Sequence, residues 1–347
     1  MRRVTTAAMI GAALLLAGCS SSSSSSPSSS SGSTGNANAA GSSSVTVRLG
    51  FLSNITHAPA LIGLKEGFFT KALGSAGTVK ATAFSAGTEE TTAILSGQLD
   101  VAYVGPNPAI TAWQKSSDIQ IISGVATGGA SIVVKKGITS AAQLKGKSLA
   151  TPSLGNTQDV ALRYWLKQHG VTTNTTGGGD AFIKPTKPNS AAVLQFKSGQ
   201  IAGGSEPAPY DIQMVQDGGT VLLSEPGVTT LLIVTKSFLA AHPAVVSDLL
   251  KAQVQANAFI KSNPAQAQAD ANAELATYTG KSLKPDLVAA SFKEITFTND
   301  PNAASLKTAA DQAVSLGLLK PVNLDGIYAL DPLNKVLAAA GESQISS

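Results

Sequence analysis

Apolar and polar residues alternate from Val45 onward in an order that predicts a strand followed by a helix. The run VTVRLGFL at 45–52 is apolar and β-branched, which is typical of a buried strand. Behind it, Leu61, Leu64 and Phe68 recur at helical spacing within segment 59–69. We therefore predict that this segment is one helix packed against the first strand.

The same order repeats along the chain. VKATAFSAG at 79–87 is typical of a strand and leads into a helical segment, where Thr88 is the predicted N-cap and Glu89 and Glu90 suit the first turn. DVAYVG at 100–105 leads into PNPAITAWQKS in the same way. This alternation predicts an α/β fold whose sheets are mostly parallel and have helices on both faces.

An internal echo predicts two lobes. Ser96-Gly97-Gln98-Leu99 recurs as Ser198-Gly199-Gln200-Ile201, and each copy precedes a short strand and a proline-rich turn. Two further strand-like runs, ASIVVKK at 130–136 and TLLIVTK at 230–236, bracket the middle of the chain. We expect them to be the strands that join the lobes, with 45–131 plus 232–347 as lobe 1 and 132–231 as lobe 2.

The chain outside these strands divides into a leading segment and a helical end. Arg2 and Arg3 precede an apolar run, which predicts a signal peptide at 1–18. Leu16-Ala17-Gly18-Cys19 resembles the lipobox of bacterial lipoproteins, so Cys19 is the expected lipidation site. Residues 19–44 are rich in serine and glycine, which predicts a flexible tether. The last third is predicted to be helical, with helices at 243–261 and 303–319.

Composition and charge exclude several classes of protein. The chain has 25 basic and 21 acidic residues, and removal of 1–44 takes away two arginines, which leaves 23 against 21. This near-neutral balance, without a Lys/Arg stripe, disfavours nucleic acid as a partner. The only cysteine precedes the domain, so disulfides and thiolate metal sites are excluded from it. The sequence has no phosphate loop, zinc-protease motif or nucleophile elbow, and it predicts no metal, no cofactor and no catalysis.

The candidate ligand site is a set of loops that follow predicted strands. In open α/β sheets a ligand lies beyond the carboxyl ends of the strands, where helix N-termini offer unpaired N–H groups. These loops contain neither Lys nor Arg and are rich in hydroxyls, amides and glycine. The candidate ligand-binding residues are Asn54, Thr56, His57, Thr88, Gly105, Asn107, Gly128, Gly129, Asn156, Thr157, Gln158, Glu206 and Tyr210.

Several of these positions leave alternatives open. Glu206 pairs either with a ligand amine or with a helix start, and Tyr210 either contacts the ligand or only packs. Asn156 is predicted to cap a helix ending near Gly170, with Asp159 in the reciprocal position of a capping box, and its function is either capping alone or ligand contact as well. Arg163 lies farther along that helix and either reaches the cleft or forms an ion pair. His57 either bonds a ligand or has an ordinary loop role.

Four segments resemble a known family. VRLGFLSNITHAPALIGLKEGFF, FSAGTEETTAILSGQLDVAYVGPNPA, ITSAAQLKGKSLATPSLGNTQDVALR and EPAPYD are similar to segments of ABC-importer solute-binding proteins of the nitrate, sulfonate and taurine (SsuA-like) group. The resemblance is clear over about 45–235. It implies the two-lobed type II periplasmic-binding-protein fold, and a site lined by 54–57, 105–107 and 155–158.

The resemblance also implies a function. It implies a monomeric lipoprotein on the outer face of the cell membrane, which captures a small anion by cleft closure and delivers it to an ABC permease with a separate ATPase. An aliphatic sulfonate such as taurine is the first expectation for the ligand, because the absence of arginine from the loops disfavours a strongly charge-paired dianion. The alternatives are a thiamine-pyrimidine precursor as ligand, and a ligand-sensing surface lipoprotein that serves no transporter.

Overall fold

The computed structural model describes residues 44–346. The predicted signal peptide, Cys19 and nearly all of the predicted tether lie outside the described residues. Eleven strands are present within 44–346: β1 Val45–Leu52, β2 Gly77–Phe84, β3 Val101–Val104, β4 Ile119–Gly128, β5 Ala130–Lys135, β6 Ser148–Thr151, β7 Phe182–Pro185, β8 Gly203–Pro207, β9 Gly219–Ser224, β10 Val228–Thr235 and β11 Ile295–Phe297.

Thirteen α-helices accompany these strands in the described part of the chain. They are α1 Ala58–Lys65, α2 Phe68–Leu73, α3 Gly87–Leu95, α4 Pro106–Ser116, α5 Thr157–Gln168, α6 Asn189–Ser198, α7 Tyr210–Gln216, α8 Lys236–Ala241, α9 Pro243–Ser262, α10 Pro264–Thr279, α11 Pro285–Lys293, α12 Ala303–Ser315 and α13 Asp331–Ala339. Two short 3₁₀ turns, Ile55–His57 and Ala141–Leu144, complete the list.

The strands form two sheets, as the two-lobed α/β prediction requires. The first sheet has the order β11-β4-β10-β3-β1-β2 and the second has the order β7-β6-β8-β5-β9. Apolar clusters cover both faces of each sheet. One face of the first sheet packs against α1, α2 and α9, and the other packs against α4 and α12. In the second sheet, α5 covers one face and α6 with α7 covers the other. The predicted fold class is confirmed.

Strand direction departs from the expectation of mostly parallel sheets. Strand β1 runs parallel to β2 and β3, and β6 runs parallel to β7 and β8, since a helix connects successive strands there. In contrast, β10 is antiparallel to β3 and β4, β11 to β4, and β5 to β8 and β9. Each sheet is therefore mixed, because the strands next to the chain crossings run against their neighbours.

The chain crosses between the sheets twice, and the two crossings lie side by side. The first is at Gly128-Gly129, between β4 and β5, where both glycines have positive φ angles of 71° and 72°. The second spans 225–227, between β9 and β10. The Gly128 N–H donates to the Gly227 carbonyl at 2.9 Å, and the Glu225 N–H donates to the Ala130 carbonyl at 2.9 Å. The two runs expected to join the lobes are thus strands β5 and β10, each inside one sheet, and the crossings precede them.

Two local predictions are wrong. The predicted helix 59–69 is split into α1 and α2, because Gly67 has a left-handed φ of 67° and serves as the N-cap of α2. The N-cap of α3 is Ala86 and not Thr88, which lies inside the first turn. The helix predicted at 243–261 is confirmed as α9, and the one predicted at 303–319 ends earlier, at Ser315.

Candidate functional site

A small chamber lies where helix N-termini from both sheets meet. Its walls include the start of α3 at Gly87, the N-cap Gly105 of α4, the start of α5 at Thr157 and the first residue of α6, Asn189. None of the described residues that line it is a lysine or an arginine. It is lined by Leu52, Asn54, Thr56, His57, Ser85, Ala86, Gly87, Gly105, Pro108, Pro152, Asn156, Thr157, Gln158, Asn189, Pro207 and Thr229.

The electrostatics of this chamber favour a negative charge. The first N–H groups of an α-helix have no partner within the helix, and the N-terminus carries roughly half a positive charge. Four helices, α3, α4, α5 and α6, begin at this space, and α4 offers fewer N–H donors than the others because Pro106 and Pro108 have none. The chamber can therefore hold an anion without an ionised cation beside it.

The first-sheet wall contains a buried hydroxyl and amide chain. Asn54 caps the 3₁₀ turn that precedes α1, and its Oδ1 accepts from the Thr56 N–H at 3.0 Å and from Thr56 Oγ1 at 2.7 Å. Thr230 Oγ1 donates in turn to Thr56 Oγ1 at 3.1 Å. These bonds hold the loop 53–57 in a single arrangement below the chamber.

His57 is a neutral part of the same wall. It is fully buried, and this burial lowers its pKa to about 3. Its Nδ1 accepts from the Leu52 N–H at 3.2 Å. In a neutral imidazole that accepts at Nδ1, the proton is on Nε2. His57 is therefore an uncharged donor at neutral pH, and both functions left open by the sequence are compatible with this geometry.

The second-sheet wall is the N-terminus of α5. Asn156 caps the helix as predicted, with its Oδ1 accepting from the Asp159 N–H at 2.9 Å and its Nδ2 donating to Gln158 Oε1 at 3.0 Å. Asp159 does not complete a capping box with Asn156, because its carboxylate accepts from the Gly155 N–H, one residue earlier. The amide oxygen and nitrogen of Asn156 are thus both bonded to residues of the same helix end. The hydroxyl of Thr157, in contrast, has no hydrogen-bond partner.

Two polar atoms in the chamber wall have no partner. Thr157 Oγ1 and Asn189 Oδ1 are buried without a hydrogen bond, and the two residues are 9% and 7% exposed. A buried polar atom without a partner destabilises the fold by about 1–3 kcal/mol. A ligand with polar atoms of its own would supply the missing partners.

Gly105, the N-cap of α4, lies against Thr157 at the start of α5. A methyl group at this position would lie 2.4 Å from Thr157 Oγ1, closer than real side chains ever come. The backbone of Gly105 has an ordinary φ of −69°, so the residue is glycine for lack of space and not for conformation.

The chamber is small and opens into a much larger groove. It has a volume of about 20 Å³, room for about one water molecule. Asn54, Ser85 and Asn189 also line the groove outside it, which has a volume of about 750 Å³ and lies between α6 and α7 on one side and α10 and α11 on the other. Chamber and groove form one continuous cleft.

Tyr210 belongs to the groove. Its hydroxyl donates to the Ser53 carbonyl at 3.1 Å, which links α7 to the loop after β1. Burial raises the pKa of Tyr210 to about 12, so this hydroxyl remains a donor at neutral pH.

The other predicted residues do not line the chamber. Thr88 lies on α3 beyond its first residue, and its carbonyl accepts from Thr92 Oγ1. Asn107 is turned toward α12, where its amide donates to the Ala309 carbonyl at 3.1 Å. Gly128 and Gly129 form a chain crossing, beside a separate pocket of about 280 Å³. Glu206 is fully buried in β8, and its carboxylate has no hydrogen-bond partner.

Arg163 forms the ion pair that the sequence left open. It is 1% exposed, and its Nε donates to Asp159 Oδ1 at 2.8 Å. Its Nη1 donates to the Asn174 carbonyl at 2.5 Å. Arg163 is thus bonded to Asp159 and Asn174, and it does not line the chamber.

The sequence missed Ser85 and Asn189. Asn189 follows β7 and begins α6, which is the same strand-to-helix position as the loops that the sequence did single out. The segment PTKPNS at 185–190 contains that signal, since a polar residue follows a strand and precedes a helical pattern.

Among residues 44–346, no group of three or more His, Cys, Asp or Glu side chains is arranged to hold a metal ion. Within the same range, no helix has both the length and the apolar character needed to cross a bilayer.

Known proteins with similar sequences or folds include anion-binding proteins. The chain is 28% identical over 214 residues to the taurine-binding periplasmic protein of Escherichia coli (strain K12). The aligned region covers 59% of this chain and 64% of that protein. The chain therefore matches somewhat less than two thirds of this relative's length.

Solved structures share the fold at lower identity. The periplasmic nitrate-binding protein NrtA from Synechocystis PCC 6803 superposes with a TM-score of 0.71 at 17% identity, covering 85% of this chain and 89% of its own. The alkanesulfonate-binding protein SsuA from Xanthomonas axonopodis pv. citri, bound to MOPS, superposes with a TM-score of 0.67 at 18% identity, covering 80% and 94%.

The family assignment rests on a match over most of the chain. The model of the NMT1-like family matches residues 40–276, which include β1 to β10 and all of the residues that line the chamber. This match confirms the resemblance to the nitrate, sulfonate and taurine group that the sequence segments indicated. The chain belongs to the NMT1-like family.

Proposed function

We propose that this protein is the lipid-anchored, extracytoplasmic solute-binding component of an ABC importer, and that it captures a small anion between its two lobes. The best candidate for the ligand is an aliphatic sulfonate similar to taurine. The protein binds and releases this solute without catalysing a reaction, and it acts as a monomer.

One observation carries this proposal. Four helix N-termini meet at a chamber without a lysine or an arginine, and two buried polar atoms there, Thr157 Oγ1 and Asn189 Oδ1, lack partners. An anion with several oxygens accepts from the helix N–H groups and from the Thr157 hydroxyl. Asn189 Oδ1 can only accept, so its partner would be a donor on the ligand, such as the ammonium group of taurine. A relative named for taurine binding supports the choice of a sulfonate.

The proposed mechanism is opening and closing of the cleft. The lobes are in contact around the chamber, where the Ile55 N–H donates to the Ala208 carbonyl at 3.0 Å and Lys187 pairs with Glu89 at 2.5 Å. A ligand that touches the loops of both lobes stabilises this closed form by its differential affinity. The predicted lobes, 45–131 plus 232–347 and 132–231, differ from the two sheets only near the crossings, since 130–131 belong to the second sheet and 228–231 to the first. We propose that the two sheets, each with its helices, move about the paired crossings at Gly128-Gly129 and 225–227.

We propose that the protein is held at the outer face of the membrane and delivers its ligand to a permease. Lipidation of Cys19 and the serine-rich tether at 19–44 would keep the binding domain at the outer face of the membrane. One acyl chain gives only marginal anchoring and two give stable anchoring, which fits a diacylated cysteine. The closed, loaded form would dock on a permease driven by a separate ATPase.

A thermal-shift panel tests the ligand class. We expect methanesulfonate or taurine to raise the melting temperature, because a ligand at ~100 times its Kd stabilises a protein by about 2.7 kcal/mol. Nitrate, bicarbonate and an aminopyrimidine complete the panel. Stabilisation by the aminopyrimidine alone would replace the sulfonate with the thiamine-pyrimidine alternative.

A variant locates the binding to the chamber. Thr157→Val removes the free hydroxyl, and we expect sulfonate to bind about tenfold to a hundredfold more weakly, since a hydrogen bond to a charged group contributes about 1.5–3 kcal/mol. Thr173→Val is the matched control, because Thr173 Oγ1 is also buried without a partner but lies outside the chamber. Equal sulfonate affinity in Thr157→Val and the parent protein would show that the anion binds elsewhere.

The affinity should vary little with pH. The only histidine in the chamber wall, His57, has a pKa of about 3. A sulfonate group keeps its single negative charge throughout the range from pH 5 to pH 8. We expect the Kd to change by less than about twofold between pH 5 and pH 8, because no group there gains or loses a proton. Calorimetric titration at both pH values checks this, and tenfold tighter binding at pH 5 would contradict a neutral His57.

A further inference from the structure

The groove outside the chamber is large enough for most of a ligand. The chamber has a volume of about 20 Å³ and the groove about 750 Å³. Sites for small organic ligands generally have volumes of about 300–1,000 Å³. At this size the chamber admits one oxygen of a polar head group, and the rest of the same molecule has to extend past Asn54 and Asn189 into the groove.

The walls of the groove are partly apolar and aromatic. Leu275 and Leu287 are buried beside it, and Leu283 lies between them on the connection from α10 to α11. Tyr278 is 38% exposed, with its ring edge packed against Phe51 at a centroid distance of 4.9 Å. An exposed aromatic ring beside leucines offers a flat surface on which an apolar group can pack.

The outer rim of the groove is basic. Lys281 and Lys284 are exposed there, and neither takes part in an ion pair within residues 44–346. The third lysine of the groove, Lys197, is paired with Asp217 at 3.4 Å. Two free positive charges at the opening attract an anion toward the cleft before it binds.

We propose that the groove is the binding site for the apolar body of the ligand. The ligand is then an organic sulfonate with a ring-sized body, whose head lies at the mouth of the chamber with one oxygen inside it and whose body packs between α7 and the α10–α11 connection. This inference rests on the proposed function, because it takes the chamber as the site of the anionic head. It narrows the ligand from small sulfonates in general to aromatic or bulky ones.

A series of sulfonates with one head and growing bodies tests this site. Calorimetry is carried out with methanesulfonate, benzenesulfonate and naphthalene-2-sulfonate. We expect naphthalene-2-sulfonate to bind at least about tenfold more tightly than methanesulfonate, because each tenfold requires only about 1.4 kcal/mol, which burial of one ring provides. Benzenesulfonate should fall between the two.

Two variants locate the effect in the groove. Ser282→Trp fills the groove from an exposed loop position, and Tyr278→Ser removes the aromatic wall. We expect each to reduce naphthalene-2-sulfonate affinity about tenfold while methanesulfonate affinity stays unchanged. Ser343→Trp and Tyr164→Ser are the matched controls, since neither residue lines the groove.

The outcomes separate this inference from the proposed function. If methanesulfonate binds and the larger sulfonates bind no more tightly, the groove site is wrong and the anion chamber stands. If the large sulfonates bind tightly but the groove variants change nothing, or weaken all three ligands alike, the body lies elsewhere and the inference fails. If no sulfonate and no nitrate binds, the proposed function fails, and the groove site fails with it.

Discussion

Replacing Gly105 with alanine is expected to weaken sulfonate binding by roughly tenfold to a hundredfold. The added methyl group would lie 2.4 Å from Thr157 Oγ1, at the contact between α4 and α5. Overpacking of this kind costs about 1–3 kcal/mol, which corresponds to that loss of affinity when only the closed form carries the cost. In the proposed open form the two helix ends are apart, so Gly105→Ala should fold and melt like the parent protein in the absence of ligand.

Two measurements check this result. Calorimetry gives the affinity, and small-angle scattering shows whether saturating sulfonate still reduces the radius of gyration. Lys115→Ala is the matched control, because Lys115 is exposed at the far end of the same helix α4. An unchanged Kd and an unchanged compaction in Gly105→Ala would contradict closure at this contact.

The free energy of unfolding is expected to fall as the pH rises from about 4 to 7. Burial raises the pKa of Asp211 and of Glu225 to about 7, and it raises the pKa of Glu206 and of Glu90 well above the usual value. A group with a raised folded-state pKa binds its proton more tightly in the folded protein. The stability it contributes is present below the unfolded pKa of about 4 and is lost as the pH approaches 7.

The size of this effect follows from the shifts at Asp211 and Glu225. They correspond to about 4 kcal/mol for Asp211 and about 3 kcal/mol for Glu225, since one pKa unit is worth 1.36 kcal/mol. The lowered pKa of His57 acts in the opposite direction between about pH 3 and 6.5, where the unfolded chain binds the extra proton. Because several carboxyl groups oppose one imidazole, the net change from pH 5 to pH 7.5 is a loss of stability.

Urea unfolding at pH 5 and at pH 7.5 tests the effect. Glu225→Gln should reduce the loss between the two pH values, because the amide cannot ionise and can still accept from Ser205 Oγ, which lies 2.6 Å from Glu225 Oε1. Glu342→Gln, at an exposed position near the end of the chain, should leave it unchanged. Greater stability of the parent protein at pH 7.5 than at pH 5 would mean that these carboxyl groups are ionised in the folded protein.

Local patterns in the sequence were sufficient to predict most of the strands and helices and several of the loops that line the chamber. Hydrophobic periodicity involves neighbouring residues, so β1, α9 and the helix cap at Asn156 were predictable. Candidate residues were chosen because they follow a predicted strand and precede a predicted helix. Of the thirteen, seven line the chamber: Asn54, Thr56, His57, Gly105, Asn156, Thr157 and Gln158. The family resemblance rested on the same short segments.

Strand direction and the targets of individual side chains emerged only from the folded chain. The antiparallel pairing of β10 with β3 and β4 depends on where the chain returns to the first sheet, which no local pattern contains. The amide of Asn107 bonds a carbonyl 202 positions away, and Arg163 is committed to Asp159 and to Asn174. Direction, burial and partner choice arise from contacts between segments distant in the chain, whereas the tendency to form a strand, a helix or a cap arises from adjacent residues.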